Sequence, residues 1–312
     1  CGAAPTTAVP GAITFRGPTD TDRVRALLKE IEEGEAQRLV FAVPWGSVWP
    51  LPAYELALLT AARLKAYQTR NVELMLVTPE DAPLQVFGRS ASDAVRGLLG
   101  DADVTLITGT CPIAAHDGRL RTVPEQSIAA DRVLALPRLQ GHPIQGVPQT
   151  VEGFVPVDQH GRVVGLDNVF AAGDITTFPV KQGGIATQQA SVAAEAIAAM
   201  AGLQVAPRPF APVLRGLLLT GSHPLFLRRN MSGADESDRA SEIPIWWPPT
   251  KIVGRLLTPF LAALAGEEVT REEPPPTDAL AVEVDLRAQD LERLTTVRFE
   301  PHAPRKGCFG SV

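Results

Sequence analysis

The chain has 312 residues, 45% hydrophobic and 21% charged, enough to bury a sizeable core and too mixed for a peptide hormone, a disordered linker or a coiled coil. Twenty-nine Lys and Arg stand against 35 Asp and Glu, and a formal charge of −6 argues against nucleic acid as the main partner, because phosphate backbones need a basic surface. Cys1, Cys111 and Cys308 are odd in number and far apart, which suits neither a disulfide framework nor a zinc ribbon and agrees with a reducing, cytoplasmic compartment.

The opening, Cys1-Gly2-Ala3-Ala4-Pro5, lacks Met and leaves three readings: a removed leader, a lipid-modified cysteine, or a start inside a longer protein. Residues 19–34 predict a helix, with Thr19, Asp20 and Thr21 as cap candidates, Val24, Leu27, Leu28 and Ile31 at helical spacing, and Gly34 as terminator. A β-rich run follows at 38–43 and stops at Pro44. Residues 52–67 read as a helix, 72–78 as a strand, 90–99 as a helix and 104–108 as a strand. This β-α-β-α-β alternation argues for an α/β fold with a parallel sheet, helices on its faces and right-handed crossovers. From 119 the pattern changes to short strands at 118–123 and 131–136 and a Gly/Pro-rich passage at 137–156, which reads as a crossing between domains. A small-residue strand is expected at 168–172, ending at Gly173-Asp174, then a helix at 185–200. Thr220-Gly221-Ser222 between 214–219 and 224–227 marks a hairpin. One more helix is read at 246–265, and 267–312 reads as a loosely held tail with a single strand at 280–286. Every apolar run is broken before the ~20 residues a membrane span needs.

The stretch richest in chemistry is Asn168-Val169-Phe170-Ala171-Ala172-Gly173-Asp174 with Phe178-Pro179-Val180-Lys181-Gln182-Gly183-Gly184-Ile185-Ala186-Thr187-Gln188-Gln189. A strand ending in Gly-Asp sets a carboxylate at the carboxyl edge of a sheet, where open α/β sheets bind ligands. The glycine pair allows close approach, and the free N–H groups at the start of the next helix favour negative charge. The histidines have no metal-ligand spacing, and no metal site is expected. Read singly, Asp174 is as well explained as a turn cap and Lys181 as a surface lysine.

With strand, Gly-Asp, Lys-x-Gly and Ala-x-Gln-Gln in this order, the sequence resembles the FAD-dependent pyridine nucleotide-disulfide oxidoreductases, in particular the sulfide:quinone oxidoreductase and type II NADH dehydrogenase branch. The likeness extends to Gly11-Ala12 through Gly34, to Phe41-Ala42-Val43-Pro44 with Pro52-Ala53-Tyr54-Glu55, and to Trp246-Trp247-Pro248-Pro249-Thr250-Lys251. It implies a two-dinucleotide-domain flavoprotein fold that binds FAD, with Gly173 and Asp174 on the ribityl or pyrophosphate portion, Lys181, Gly183, Gly184 and Ile185 beside the isoalloxazine, and Gln188 near a quinone or other acceptor. It also implies an organisation into 1–36 (end of a first FAD segment and connecting helix), 37–118 (middle NAD(P)-binding-like domain), 119–202 (second FAD segment) and 203–266 (C-terminal interface domain).

The departures restrict the reaction. GxGxxG, which holds the ADP half of FAD in this family, is missing, so the chain reads as the C-terminal portion of a longer flavoprotein, expected to hold FAD weakly and to be inactive alone. The middle domain has Trp45-Gly46-Ser47-Val48-Trp49-Pro50 where a nucleotide fingerprint is expected, which leaves NAD(P)H as a donor open but unsupported. The regions that hold the redox cysteines of sulfide:quinone oxidoreductases read Pro44-Trp45-Gly46-Ser47-Val48-Trp49 and Thr177-Phe178-Pro179-Val180, without sulfur, which disfavours sulfide oxidation. Trp246 and Trp247 suit either peripheral contact at the inner face of a membrane or a packed seam such as a homodimer interface. The alternatives to electron transfer are a redox-inactive binding or assembly module and a lipid-anchored binding protein.

Overall fold

The computed structural model describes residues 2–232 and 238–265. The chain opens with β1 (Ala3–Thr6) and the short β2 (Ile13–Thr14). A 3-10 turn at Pro18–Asp20 leads into α1 (Thr21–Glu32), with Asp20, one of the cap candidates, at the N-cap position but without a side-chain capping bond. The Asp20 carboxylate instead accepts from the Arg16 N–H at 2.8 Å. Then come β3 (Arg38–Ala42), α2 (Leu51–Ala66), β4 (Glu73–Val77), α3 (Arg89–Asp101) and β5 (Val104–Ile107), the alternation expected. Pro52 lies in the first turn of α2, where a missing N–H breaks no helical bond.

An antiparallel meander follows, β6 (Cys111–His116), β7 (Arg119–Val123) and β8 (Gln126–Ala129). β9 (Arg132–Ala135) then returns to the parallel sheet, and β10 (Arg138–Gly141) pairs antiparallel with β1. The central sheet has the order β2-β9-β3-β4-β5 and is parallel throughout. It therefore runs past the boundaries drawn at 37 and 118 on both sides. Asp131 makes the join, its carboxylate accepting from the N–H groups of Gln37 and Arg38 at 3.0 and 2.9 Å and from the Arg38 guanidinium at 2.8 Å. These bonds hold its pKa down at about 2, the Arg38 side chain first.

Alternation along β3 sorts the layers. Leu39 and Phe41 pack into one cluster with Leu27 and Ile31 of α1, Tyr54 and Leu58 of α2, and Val95 and Leu99 of α3. Val40 and Ala42 pack into the other, with Val9, Leu120 and Ala130. Helices thus cover one face only, and the meander covers the other, a correction to the expected helices on both faces. β3 reads as an unbroken apolar run because both of its faces are buried.

After β10 the chain makes isolated bridges, Val155 with Thr176, Val157 with Val163 and Arg162 with Phe170. The strand expected at 168–172 is not formed. Its residues make the single bridge at Phe170, and small apolar side chains do not make a strand without a neighbour to share the hydrogen-bond ladder. α4 (Gly183–Met200) comes next, and then a three-stranded antiparallel sheet of β11 (Val213–Leu218), β12 (Leu225–Asn230) and β13 (Arg239–Ser241). The hairpin is present, its tip held by Thr220 Oγ1 donating to the His223 carbonyl at 2.8 Å. This sheet packs on α2: a Cβ at Gly216 would lie 2.5 Å from Phe87 Cζ and 2.8 Å from Leu51 Cδ1.

The helix read at 246–265 is cut to α5 (Leu257–Ala265). Pro248 and Pro249 remove two backbone donors in succession, so the stretch before α5 is irregular. The tail at 267–312, with its strand at 280–286, lies outside the described residues. Among the described residues no helix is long and apolar enough to cross a membrane.

Candidate functional site

The Gly-Asp turn packs on α4, and Lys181, just before that helix, reaches the carboxyl ends of β2, β3 and β9 in the central sheet. Gly173 has φ +82°, a backbone that favours glycine, and its N–H donates to Gln189 Oε1 at 2.7 Å. Thr176 Oγ1 donates to the Gly173 carbonyl at 2.9 Å, and Gln189 Nε2 donates to Thr176 Oγ1 at 3.2 Å. Gln189, 5% exposed on α4, thus holds the turn from beneath. Its role and that of Thr176 escape a reading by motif, although a hydroxyl two residues after the Asp is a usual turn partner.

The turn presents Asp174 half-buried, and no donor among the described residues reaches its carboxylate. Burial raises its pKa, and the charge of Lys181 works against that rise. Lys181 is 5% exposed, against the surface role usual for lysine. Its ammonium donates to the Thr176 carbonyl and stands 4.1 Å from the centroid of the Phe154 ring. Burial pushes its pKa down to about 8, opposed by Asp174. The pair is therefore a partly desolvated carboxylate in the field of a buried ammonium, with the carboxylate still open to a donor.

A cavity of about 220 Å³ opens beside Lys181, lined also by Phe15, Arg16, Ser47, Trp49 and Pro137. The Lys181 N–H donates to the Val48 carbonyl at 3.4 Å, so the loop after β3 and the stretch before Lys-x-Gly, both without sulfur, adjoin. A larger cavity, about 660 Å³, lies at the opposite edge of the sheet between Leu58, Lys65, Leu98 and Gly221, away from these residues.

The start of α4 differs from expectation. Gln182 caps the helix, its Oε1 accepting from the Ile185 N–H at 2.6 Å while its Nε2 donates to the Arg215 carbonyl at 2.8 Å. A Cβ at Gly184 would lie 2.7 Å from that Oε1, and a Cβ at Gly183 would lie 2.6 Å from Ile252 Cδ1. Both glycines are accounted for by packing within the chain. Ile185 is 2% exposed and belongs to the main core. The Gln188 Nε2 donates to the carbonyls of Gly184 and Val213 at 2.9 Å, and its Oε1 accepts from the Val213 N–H at 2.9 Å, so the amide clamps β11 to α4. Trp246 is spent on Phe226, ring centroids 4.9 Å apart, and donates from Nε1 to the Thr250 carbonyl at 3.0 Å. Trp247 is 58% exposed.

Glu80 was not foreseen. Just past β4, its Oε2 accepts from Tyr54 OH at 2.7 Å and Thr78 Oγ1 at 3.0 Å, and burial lifts its pKa to about 7 against the pull of those bonds. The sequence signal was Thr78-Pro79-Glu80 at the carboxyl end of a strand.

A family model described as pyridine nucleotide-disulphide oxidoreductase matches residues 53–196. The sulfide:quinone oxidoreductase of the hyperthermophilic bacterium Aquifex aeolicus has a similar structure, with a TM-score of 0.64 at 15% identity, covering 77% of this chain and 62% of that one. Reduced CoADR-RHD of Bacillus anthracis is similar with a TM-score of 0.50 at 17% identity, covering 73% of this chain and 41% of that one. The chain thus spans less than two thirds of the length of either structure. No curated protein matches it. The family match over residues 53–196 and the parallel sheet with its meander agree, and in this part the chain is similar to the pyridine nucleotide-disulphide oxidoreductases.

Proposed function

We propose that the chain serves FAD-dependent electron transfer from a reduced donor to a quinone or similar acceptor, with Asp174 and Lys181 as its principal cofactor contacts. The observation that carries this reading is the half-buried Asp174 carboxylate that no donor of the described chain satisfies, set beside a buried ammonium at a sheet edge. A half-buried acceptor without a partner suits a ligand hydroxyl, and a polyhydroxylated ribityl chain offers several. Lys181 supplies a positive charge next to the cavity. FAD, when bound, supplies the two-electron chemistry; the chain's residues bind it, orient it and shield it.

Two features bear on the reaction partners. Quinone as acceptor rests on the fold likeness to a sulfide:quinone oxidoreductase. Sulfide as donor is disfavoured because the loop after β3 and the 177–180 segment adjoin through Lys181 and Val48 yet hold no sulfur. NAD(P)H stays unsupported as a donor. Trp247, Ile243, Phe260 and Leu264, all more than half exposed, are proposed as a surface for peripheral membrane contact or a second copy of the chain.

A redox-inactive module is the second reading, favoured by the internal use of Gly183, Gly184 and Gln188. Titration of the chain with FAD, followed by quenching of flavin fluorescence, separates the two. Saturable binding that Asp174→Asn weakens about tenfold or more is expected, since hydrogen bonds to a charged group are worth ~1.5–3 kcal/mol. Binding that Asp174→Asn leaves unchanged would remove Asp174 from the cofactor contacts, and no binding even at FAD concentrations far above a weak affinity would support the second reading.

A further inference from the structure

The sheet β11-β12-β13 carries an arrangement that the flavin reading does not use. Arg215 stands directly opposite Arg228, and Arg228 directly opposite Arg239, so the three share one face of the sheet. Leu214, Leu218, Leu225 and Leu227 on the other face are buried in the main core, and Gly216 beside them abuts Phe87. The arginines therefore stand on the side away from α2. Arg239 is exposed, and Arg228 and Arg215 are partly covered. Arg215 Nε is buried without a hydrogen-bond partner.

Among the described residues no carboxylate pairs with any of the three. Burial, with Arg228 adding to it, pushes the Arg215 guanidinium down to about 10, and burial with Arg239 lowers Arg228. Both shifts are those of cations short of counter-charge. Like charges directly opposite one another oppose strand pairing, so the row is costly by itself. It is well suited to an oxyanion, because each guanidinium offers a planar fork of donors. Adjacent strands lie ~4.8 Å apart, which spreads the three forks over roughly 10 Å. That is more donor capacity than one carboxylate can use and fits a group of higher charge with three or more oxygens.

We propose that the row Arg215, Arg228 and Arg239 is a binding site for a phosphate group, carried either by a free phosphate or diphosphate or by a lipid headgroup. The lipid source has support in the next register row: Leu217, Phe226 and Ser241 lie beside the arginines, Trp246 packs on Phe226, and the chain leaves β13 toward Ile243 and Trp247, 65% and 58% exposed. Apolar side chains next to guanidinium groups match the boundary between headgroup and acyl chain. The site is independent of Asp174 and Lys181 and stands whether or not flavin binds.

The test titrates the full chain with inorganic phosphate and pyrophosphate by calorimetry at constant ionic strength, and sediments it with phosphatidylcholine vesicles containing or lacking phosphatidylglycerol. The account expects binding in at least one arm, weakened about tenfold or more by Arg228→Gln and by Arg239→Gln. Arg239 is exposed, so its variant keeps the test valid should Arg228→Gln fail to fold. Arginine-dependent pyrophosphate binding identifies a free phosphate ligand, and arginine-dependent sedimentation with phosphatidylglycerol alone identifies a headgroup. Absence of binding beyond that of chloride, or binding that Arg239→Gln leaves unchanged, would overturn the proposal.

Discussion

Glu80 shows how one side chain can set a pH dependence. Its two hydroxyl partners stabilise the carboxylate, yet burial prevails and its pKa rises from the ordinary 4.5 to about 7. A carboxyl whose pKa is higher in the folded than in the unfolded state stabilises the fold below the unfolded value, and that contribution is lost as pH rises through the folded one. Stability is therefore expected to fall between pH 4.5 and 7 by an amount on the order of 3 kcal/mol. Glu80→Gln keeps an acceptor for Tyr54 and Thr78 without the titration. Urea unfolding at pH 5 and pH 8 is expected to show the variant nearly flat and more stable than wild type at pH 8; an unchanged slope would remove the role given to burial. Gly173, Asp174 and Lys181 stand out in the sequence because their order is a motif. Glu80 was not, because its environment is assembled by Tyr54 from a different element.

At the scale of elements, strands and helices with unbroken periodicity were legible, and the misreadings have separate physical causes. Residues 168–172 have the composition of a strand, but a strand depends on its neighbours, and here only Phe170 is bridged. The 246–265 stretch has a helical apolar pattern, but consecutive prolines overrule it until Leu257. Gln188 looked like a ligand contact because it is polar and lies one turn into a helix after a glycine pair. Its amide completes the edge of β11. Gln188→Leu would leave the N–H and C=O of the half-buried Val213 without their side-chain partners, at up to ~1 kcal/mol each. A lower urea midpoint and faster hydrogen exchange at the Val213 amide are expected, and an unchanged exchange rate there would contradict the clamp.

For the molecule as a whole, the class of fold followed from alternation, but the extent of the sheet did not. β2 is two residues long and β9 reads only as a short strand after the alternation has ended, yet both join the parallel sheet through pairings more than 90 residues apart in sequence, such as Phe41 with Leu134. No local period reports such a contact. The closure matters for function because it brings Phe15, Arg16 and Pro137 to the cavity beside Lys181, which the motif alone could not do. The central claim is that this sheet edge is where the chain holds its cofactor. A crystal structure of the chain with FAD tests it most directly. The account predicts a ribityl hydroxyl within hydrogen-bond distance of the Asp174 carboxylate and the ring system against Lys181; FAD bound elsewhere, with Asp174 still unpartnered, would contradict it.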